Sequence, residues 1–126
     1  MADNDQQTRI KIIVGEEEMM ATLYDHDAAR DFIEMLPMTM ELKDYASTEK
    51  IYGLSEKLST KGSPSGSAAR AGDIAYYVPW GNLVLFYKDF GYSNGLIILG
   101  RIEWNIDVIK ISGSVNAQFE LMNNRK

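Results

Sequence analysis

The stretch Gly72–Tyr92, GDIAYYVPWGNLVLFYKDFGY, decides how this chain is read. It holds seven of the thirteen aromatic residues: Tyr76, Tyr77, Trp80, Phe86, Tyr87, Phe90 and Tyr92. Two apolar runs, DIAYYVP and LVLFYK, flank WGN, a spacing that predicts two strands joined by a tight turn. In the first run Ile74, Tyr76 and Val78 share one face, and Ala75 and Tyr77 the other. In the second, Leu83, Leu85 and Tyr87 oppose Val84 and Phe86. Both faces are apolar, so one is expected to meet a barrel core and the other a helix or a groove. The strand rings read as packing. Trp80, Phe90 and Tyr92 fall in turns or loops, where a large ring needs a packing reason or a partner.

Outward from this hairpin the pattern is mostly of period two. RIKIIVGEEEMMATLY alternates on both sides of Gly15 and predicts a β-hairpin. DHDAARDFIEMLP changes period: Ala29, Phe32, Ile33 and Leu36 line one helical face. The spacing predicts a helix over 26–36, capped by Asp25 or Asp27 and stopped by Pro37. Met38, Met40 and Leu42 alternate in a following strand, and Ile51–Leu54 suits a short one. STKGSPSGSAARAG reads as a loop of about a dozen residues, a mobile flap or site rim. DFGYSNG reads as another loop and LIILGRIE as a strand. NIDVIKISG fits a helical turn, and SVNAQFEL closes the chain as a strand. The total is about eight short strands and one main helix, which favours a small closed β-barrel without open edges.

Composition sets limits on function. The chain has 126 residues, enough for one domain with a core of its own. Formal net charge is −5, with no basic patch, so nucleic acid is not an expected partner. The absence of cysteine removes disulfides, thiolate metal sites and cysteine nucleophiles. No run approaches the ~20 apolar residues of a membrane helix. MADNDQQTR is polar, with no apolar stretch before Ile10, so residues 1–8 read as a disordered tail and not as a secretory signal. The cytoplasm is the default compartment. The domain is expected over 9–122, with no metal and no cofactor.

Two further candidates for a ligand site come from polar residues in apolar settings. Arg101 interrupts LIILGRIE; it is expected either beside Glu103 in solvent, or paired with a carboxylate such as Glu49 or Asp89, or holding a ligand carbonyl or carboxylate. Gly100 before it permits close approach of a backbone or ligand. Glu49 lies in the polar trio TEK at a strand start. His26, the single histidine, reads as a surface capping residue, and the adjacent DHD residues cannot converge on one metal ion. With no other histidine, Ser–His–Asp chemistry is not expected. KGSPSG lacks the spacing of a phosphate loop.

The order of hairpin, helix ending in MLP, strand, TEKI segment and then GDIAYYVPWGNLVLFYKDFGYSNGLIILGRI resembles the bacterial cyclophilin-like domain proteins. The resemblance covers roughly 10–121, and ARDFIEMLPMTM, GDIAYYVPWGN and GLIILGRI are its most specific pieces. It implies a cyclophilin-like barrel of unassigned activity. True cyclophilins are prolyl isomerases that use an arginine on the strand after the first helix, followed by a Phe-Met-x-Gln pattern. Here that region reads MTMELKDYASTEK, with Glu41 and Lys43 but no arginine, so no isomerase residue carries over. The leading expectation is a non-catalytic module that binds a peptide or small ligand through Trp80, Phe90, Tyr92, Arg101 and Glu49. The alternatives are a prolyl isomerase with Arg101 in a rearranged site, and an accessory domain to a flavodoxin-like redox partner.

Overall fold

Eight strands close on themselves around a single apolar interior. The computed structural model describes residues 7–110 and 113–122. In chain order these hold β1 (Thr8–Val14), β2 (Glu17–Leu23), α1 (Asp27–Glu34), β3 (Met38–Tyr45) and β4 (Glu49–Gly53). Then come β5 (Gly66–Ala69), β6 (Asp73–Tyr77), β7 (Asn82–Phe86), β8 (Phe90–Asn94) and β9 (Leu96–Trp104). A 3-10 helix (Ile106–Lys110) and β10 (Val115–Leu121) follow. The barrel order is β1-β10-β3-β4-β7-β6-β9-β2, and every pairing is antiparallel. Most of the tail expected over 1–8 lies outside the described residues; Thr8 already belongs to β1.

The alternation in the sequence points one side chain in two inward. Ile10, Ile12, Met19, Ala21, Leu23, Met40, Leu42, Ala117 and Phe119 are all almost fully buried in the interior. Helix α1 follows the Leu23 end of β2, and the 3-10 helix follows the Trp104 end of β9. The registers Leu23↔Gly100 and Met20↔Trp104 place those ends at opposite mouths of the barrel. Each mouth is therefore stopped by a short helix: Ala28, Ala29 and Phe32 at one, Val108 and Ile109 at the other. Phe32 meets Phe119 edge to face at 6.0 Å.

Of the residues expected to cap α1, the histidine does so and the aspartates do not. The cap is His26, not Asp25 or Asp27. Its backbone is extended and its Nδ1 accepts a hydrogen bond from the Ala29 N–H at 3.3 Å. Nε2 lies 3.0 Å from the Ile98 carbonyl, and with Nδ1 accepting, the Nε2–H donates there. Half-buried, His26 thus ties α1 to β9. The flanking aspartates are both taken by Arg30. The helix runs over Asp27–Glu34, shorter than 26–36, and the Leu36–Pro37 peptide after it is cis.

Two segments expected as loops are strands. Gly66–Ala69 and Phe90–Asn94 pair with each other through Gly66↔Asn94, Ser67↔Ser93 and Ala69↔Phe90. Their Gly- and Ser-rich residues carry no apolar alternation, and the partner lies far along the chain, so the local pattern misses them. This second sheet, with β5 against β9, explains why the opening hairpin is apolar on both sides. Ile74, Tyr76, Leu83 and Leu85 face the interior. Ala75, Val84 and Phe86 face outward into a second apolar cluster with Ala69 and Leu96.

Strand β9 has two bulges, opposite Ile74/Ala75 and Met20/Ala21. Its inward residues therefore shift from Ile97 and Leu99 to Ile102. Gly100 sits between them. A Cβ there would lie 2.2 Å from the Thr22 carbonyl oxygen and 2.8 Å from Leu23 Cα. The close approach expected at Gly100 is thus made by the backbone of β2.

Candidate functional site

The outer face of β4, β7 and β6 builds a groove. Register sets its residues side by side: Glu49 opposite Phe86, Ile51 opposite Val84, and Val84 opposite Ala75. Val84, Phe86 and Leu96 are buried beneath it. Tyr45, Tyr77, Trp80 and Phe90 stand around it, with Glu49, Asn82 and Ser93 as polar edges. The cavity volume is about 270 Å³, close to the lower limit of ordinary small-molecule sites.

Trp80 organises this groove from the β6–β7 turn. Its ring meets Tyr45 at 5.7 Å and Tyr77 at 5.4 Å, with interplanar angles of 82° and 84°. Edge-to-face pairs of this kind fix ring orientation and contribute about 0.5–1.5 kcal/mol each. Trp80 nevertheless stays 57% exposed and Tyr45 45%. On the other side, Phe90 stacks on buried Phe86 at 5.7 Å.

Glu49 is half-buried on this apolar face, and burial first, then the Asp44 carboxylate, hold its pKa above the ordinary value. Among the described residues no ion pair reaches it. The adjacent Lys50 points the other way, wholly buried within the barrel, where its ammonium reaches the Gly113 carbonyl at 2.6 Å and Asp44 at 3.3 Å. Asp44 also accepts a hydrogen bond from the Tyr87 hydroxyl. That bond comes first in lowering the Asp44 pKa. Burial first, then the same bond, pushes the Tyr87 hydroxyl up to about 12.

The turn presenting Tyr45 and Glu49 is backbone-strained. Ala46 and Ser47 both take left-handed conformations, φ 56° and 52°. Neither is a residue type that adopts this region without cost. The Thr48 N–H donating to the Tyr45 carbonyl at 3.1 Å closes the turn.

Of the five residues singled out from the sequence, Glu49, Trp80 and Phe90 come together here. Tyr92 does not: it lies across β5, its hydroxyl 2.6 Å from where a Gly66 Cβ would stand, and is 63% exposed. Arg101 also stands apart. Its guanidinium donates to Asp73 at 2.9 Å, so its carboxylate partner is Asp73 and not Glu49 or Asp89. The second Asp73 oxygen accepts the Arg70 N–H, which closes the loop before β6, and Asp89 accepts the Ala71 N–H. Tyr24 lies beside this cluster; burial first, then Asp73, raises its pKa.

By its strand pattern Tyr77 reads as a packing ring, and Tyr45 carries no distinguishing signal. Tyr77 shares a strand face with Ala75, so the paired β6–β7 register was a signal for it. Tyr45 had none, because nothing in YAST announces a turn.

An eight-stranded barrel stopped by helices at both mouths defines the class of protein. The model of the cyclophilin-like family matches residues 12–120, and the chain belongs to that family. It is also similar to the solution structure of a hypothetical protein from Archaeoglobus fulgidus. The TM-score is 0.64, at 17% identity over 93% of this chain and 96% of that one; the likeness shows the shared fold. No curated protein matches the chain.

Proposed function

We propose that the protein is a non-catalytic binding module that takes a small ligand or a peptide side chain into the outer aromatic groove. The observation that carries this reading is Trp80: a solvent-facing indole held in place by two tyrosines over a floor of buried Val84 and Phe86. Rigid exposed aromatics lose little conformational freedom on binding and supply large contact area.

Prolyl isomerisation would call for a donor cation at the groove. Arg101, the residue expected to supply it, lies outside and is engaged by Asp73. The groove's acidic side chain, Glu49, is a carboxylate, which donates nothing to a prolyl amide when ionised.

Trp80 and Trp104 are the two tryptophans. A Trp104→Phe variant makes Trp80 emission a direct reporter. Ligands or peptides that occupy the groove shift that emission saturably, and in titration calorimetry Trp80→Ala removes binding while leaving the far-ultraviolet circular dichroism intact. Binding that persists in Trp80→Ala, or that is lost in Arg101→Ala, overturns this placement.

A further inference from the structure

We infer that the groove recognises an alkylated ammonium group. This inference rests on the groove being the binding site and names what the site takes.

The argument is one of complementarity. Five aromatic residues, Tyr45, Tyr77, Trp80, Phe86 and Phe90, line one small cavity. Aromatic faces carry negative charge density and attract cations, tryptophan most strongly. The planes of Tyr45 and Tyr77 each stand nearly perpendicular to Trp80. Rings set at right angles surround a compact head from more than one side; parallel stacking would favour a flat ligand instead. An ammonium bearing methyl groups is weakly hydrated, offers apolar surface to the rings and keeps its charge.

Glu49 adds the sign. It is the carboxylate of the cavity and lies directly across from Phe86. Among the described residues no cation pairs with it. Burial already makes its charge costly, an environment that an incoming cation relieves and an incoming anion worsens. The chain's net charge of −5 further favours a cationic ligand over a phosphate or carboxylate. A cavity of about 270 Å³ accepts one such head and a short stem.

The test uses choline and its neutral isostere 3,3-dimethylbutan-1-ol, with Trp80 emission of the Trp104→Phe protein as readout. The two probes share a shape and differ in charge. Choline is expected to bind at least about fivefold tighter, the ratio for a cation–π contribution near the middle of its usual range. Glu49→Gln is expected to narrow the ratio toward the roughly fivefold that the rings alone supply while the alcohol's affinity is kept, a readout that misfolding would not produce. Equal affinity for the two probes in the parent overturns the cation inference and leaves the groove reading standing. No saturable response to either probe up to about 50 mM, a limit that still detects very weak binding, overturns both. A third probe, N-acetyl-trimethyllysine methylamide, separates the sources. Tighter binding than choline assigns the ammonium to a peptide, weaker binding to a free small molecule, and both support the inference.

Discussion

Replacing Tyr87 with phenylalanine tests the polar cluster at the barrel mouth. The ring is retained, so the packing against the interior and the ring placed 6.0 Å from the Lys50 ammonium are both kept. What goes is one hydrogen bond to the Asp44 carboxylate, which Lys50 also approaches at 3.3 Å. Hydrogen bonds to charged groups contribute about 1.5–3 kcal/mol, and partial exposure argues for the lower end. Tyr87→Phe should therefore destabilise the protein by roughly 1.5 kcal/mol near pH 7, a Tm loss of several degrees.

The pH dependence is more discriminating. The Tyr87 hydroxyl is held up at about 12 in the fold, against 10.0 ordinarily. A raised folded pKa means that the protection is complete below pH 10 and is lost as pH rises toward 12, where the unfolded chain releases the proton first. At pH 11 the nominal loss is about 1.4 kcal/mol. Solvent screening at a partly exposed site reduces it to about 0.7 kcal/mol. The gap between parent and variant in urea titrations should then shrink by about half between pH 7 and pH 11. Titrations common to both proteins cancel in that difference. A gap that stays constant, or widens, over that range refutes the reasoning.

Gly100→Ala sets a Cβ 2.2 Å from the Thr22 carbonyl oxygen; because backbone must move, a loss of about 3 kcal/mol or more is expected in chemical denaturation. Ser47→Gly relieves a left-handed residue and should gain about 0.5–1 kcal/mol after the extra unfolded-state entropy of glycine is deducted, read as a raised urea midpoint. Choline affinity should weaken as pH falls through the raised Glu49 pKa, because the cation needs the ionised carboxylate. Asn82, Ser93 and the Tyr45 and Tyr77 hydroxyls are the other polar groups of the groove, Asp44 lies with Lys50 behind it, and Glu49→Gln should flatten the profile above the ordinary glutamate value of 4.5.

The barrel was legible because its eight strands carry their own alternation. Ile10 and Ile12, or Met40 and Leu42, show their inward face without reference to the rest of the chain. The β5–β8 sheet was not, because Gly66, Ser67, Ser93 and Gly91 gain strand geometry only from a partner more than twenty residues away. The site was legible in part. Trp80 and Phe90 were conspicuous as large rings beside turn residues, and Glu49 as a charge at a strand start. Their meeting depends on Tyr45, which a strained turn without asparagine or glycine delivers to the groove. Arg101 was legible only as an arginine in need of a carboxylate: Asp73, which it meets, lies 28 residues away and carries no local signal in the apolar strand.

The double-sided burial of β6 and β7 has a consequence for folding accuracy. In most strands a slip of one residue exposes the apolar set to water and is rejected on that ground. Here both faces bury apolar side chains, so a slipped β6–β7 pair would still place oily residues on either side. Hydrophobicity alone therefore selects weakly among alignments. Selection falls to the punctuation at the hairpin's end. The Val78 N–H donates to the Gly95 carbonyl at 2.8 Å. Gly95, at φ 82°, leaves no room for a Cβ beside the Pro79 ring, which would stand 2.8 Å away. Proline and glycine interlock as a peg and a notch that set β6 against β9, while the Gly81 N–H donating to the Tyr77 carbonyl at 2.9 Å closes the β6–β7 turn itself. The residues that contribute least to the core are thus the ones that proofread it.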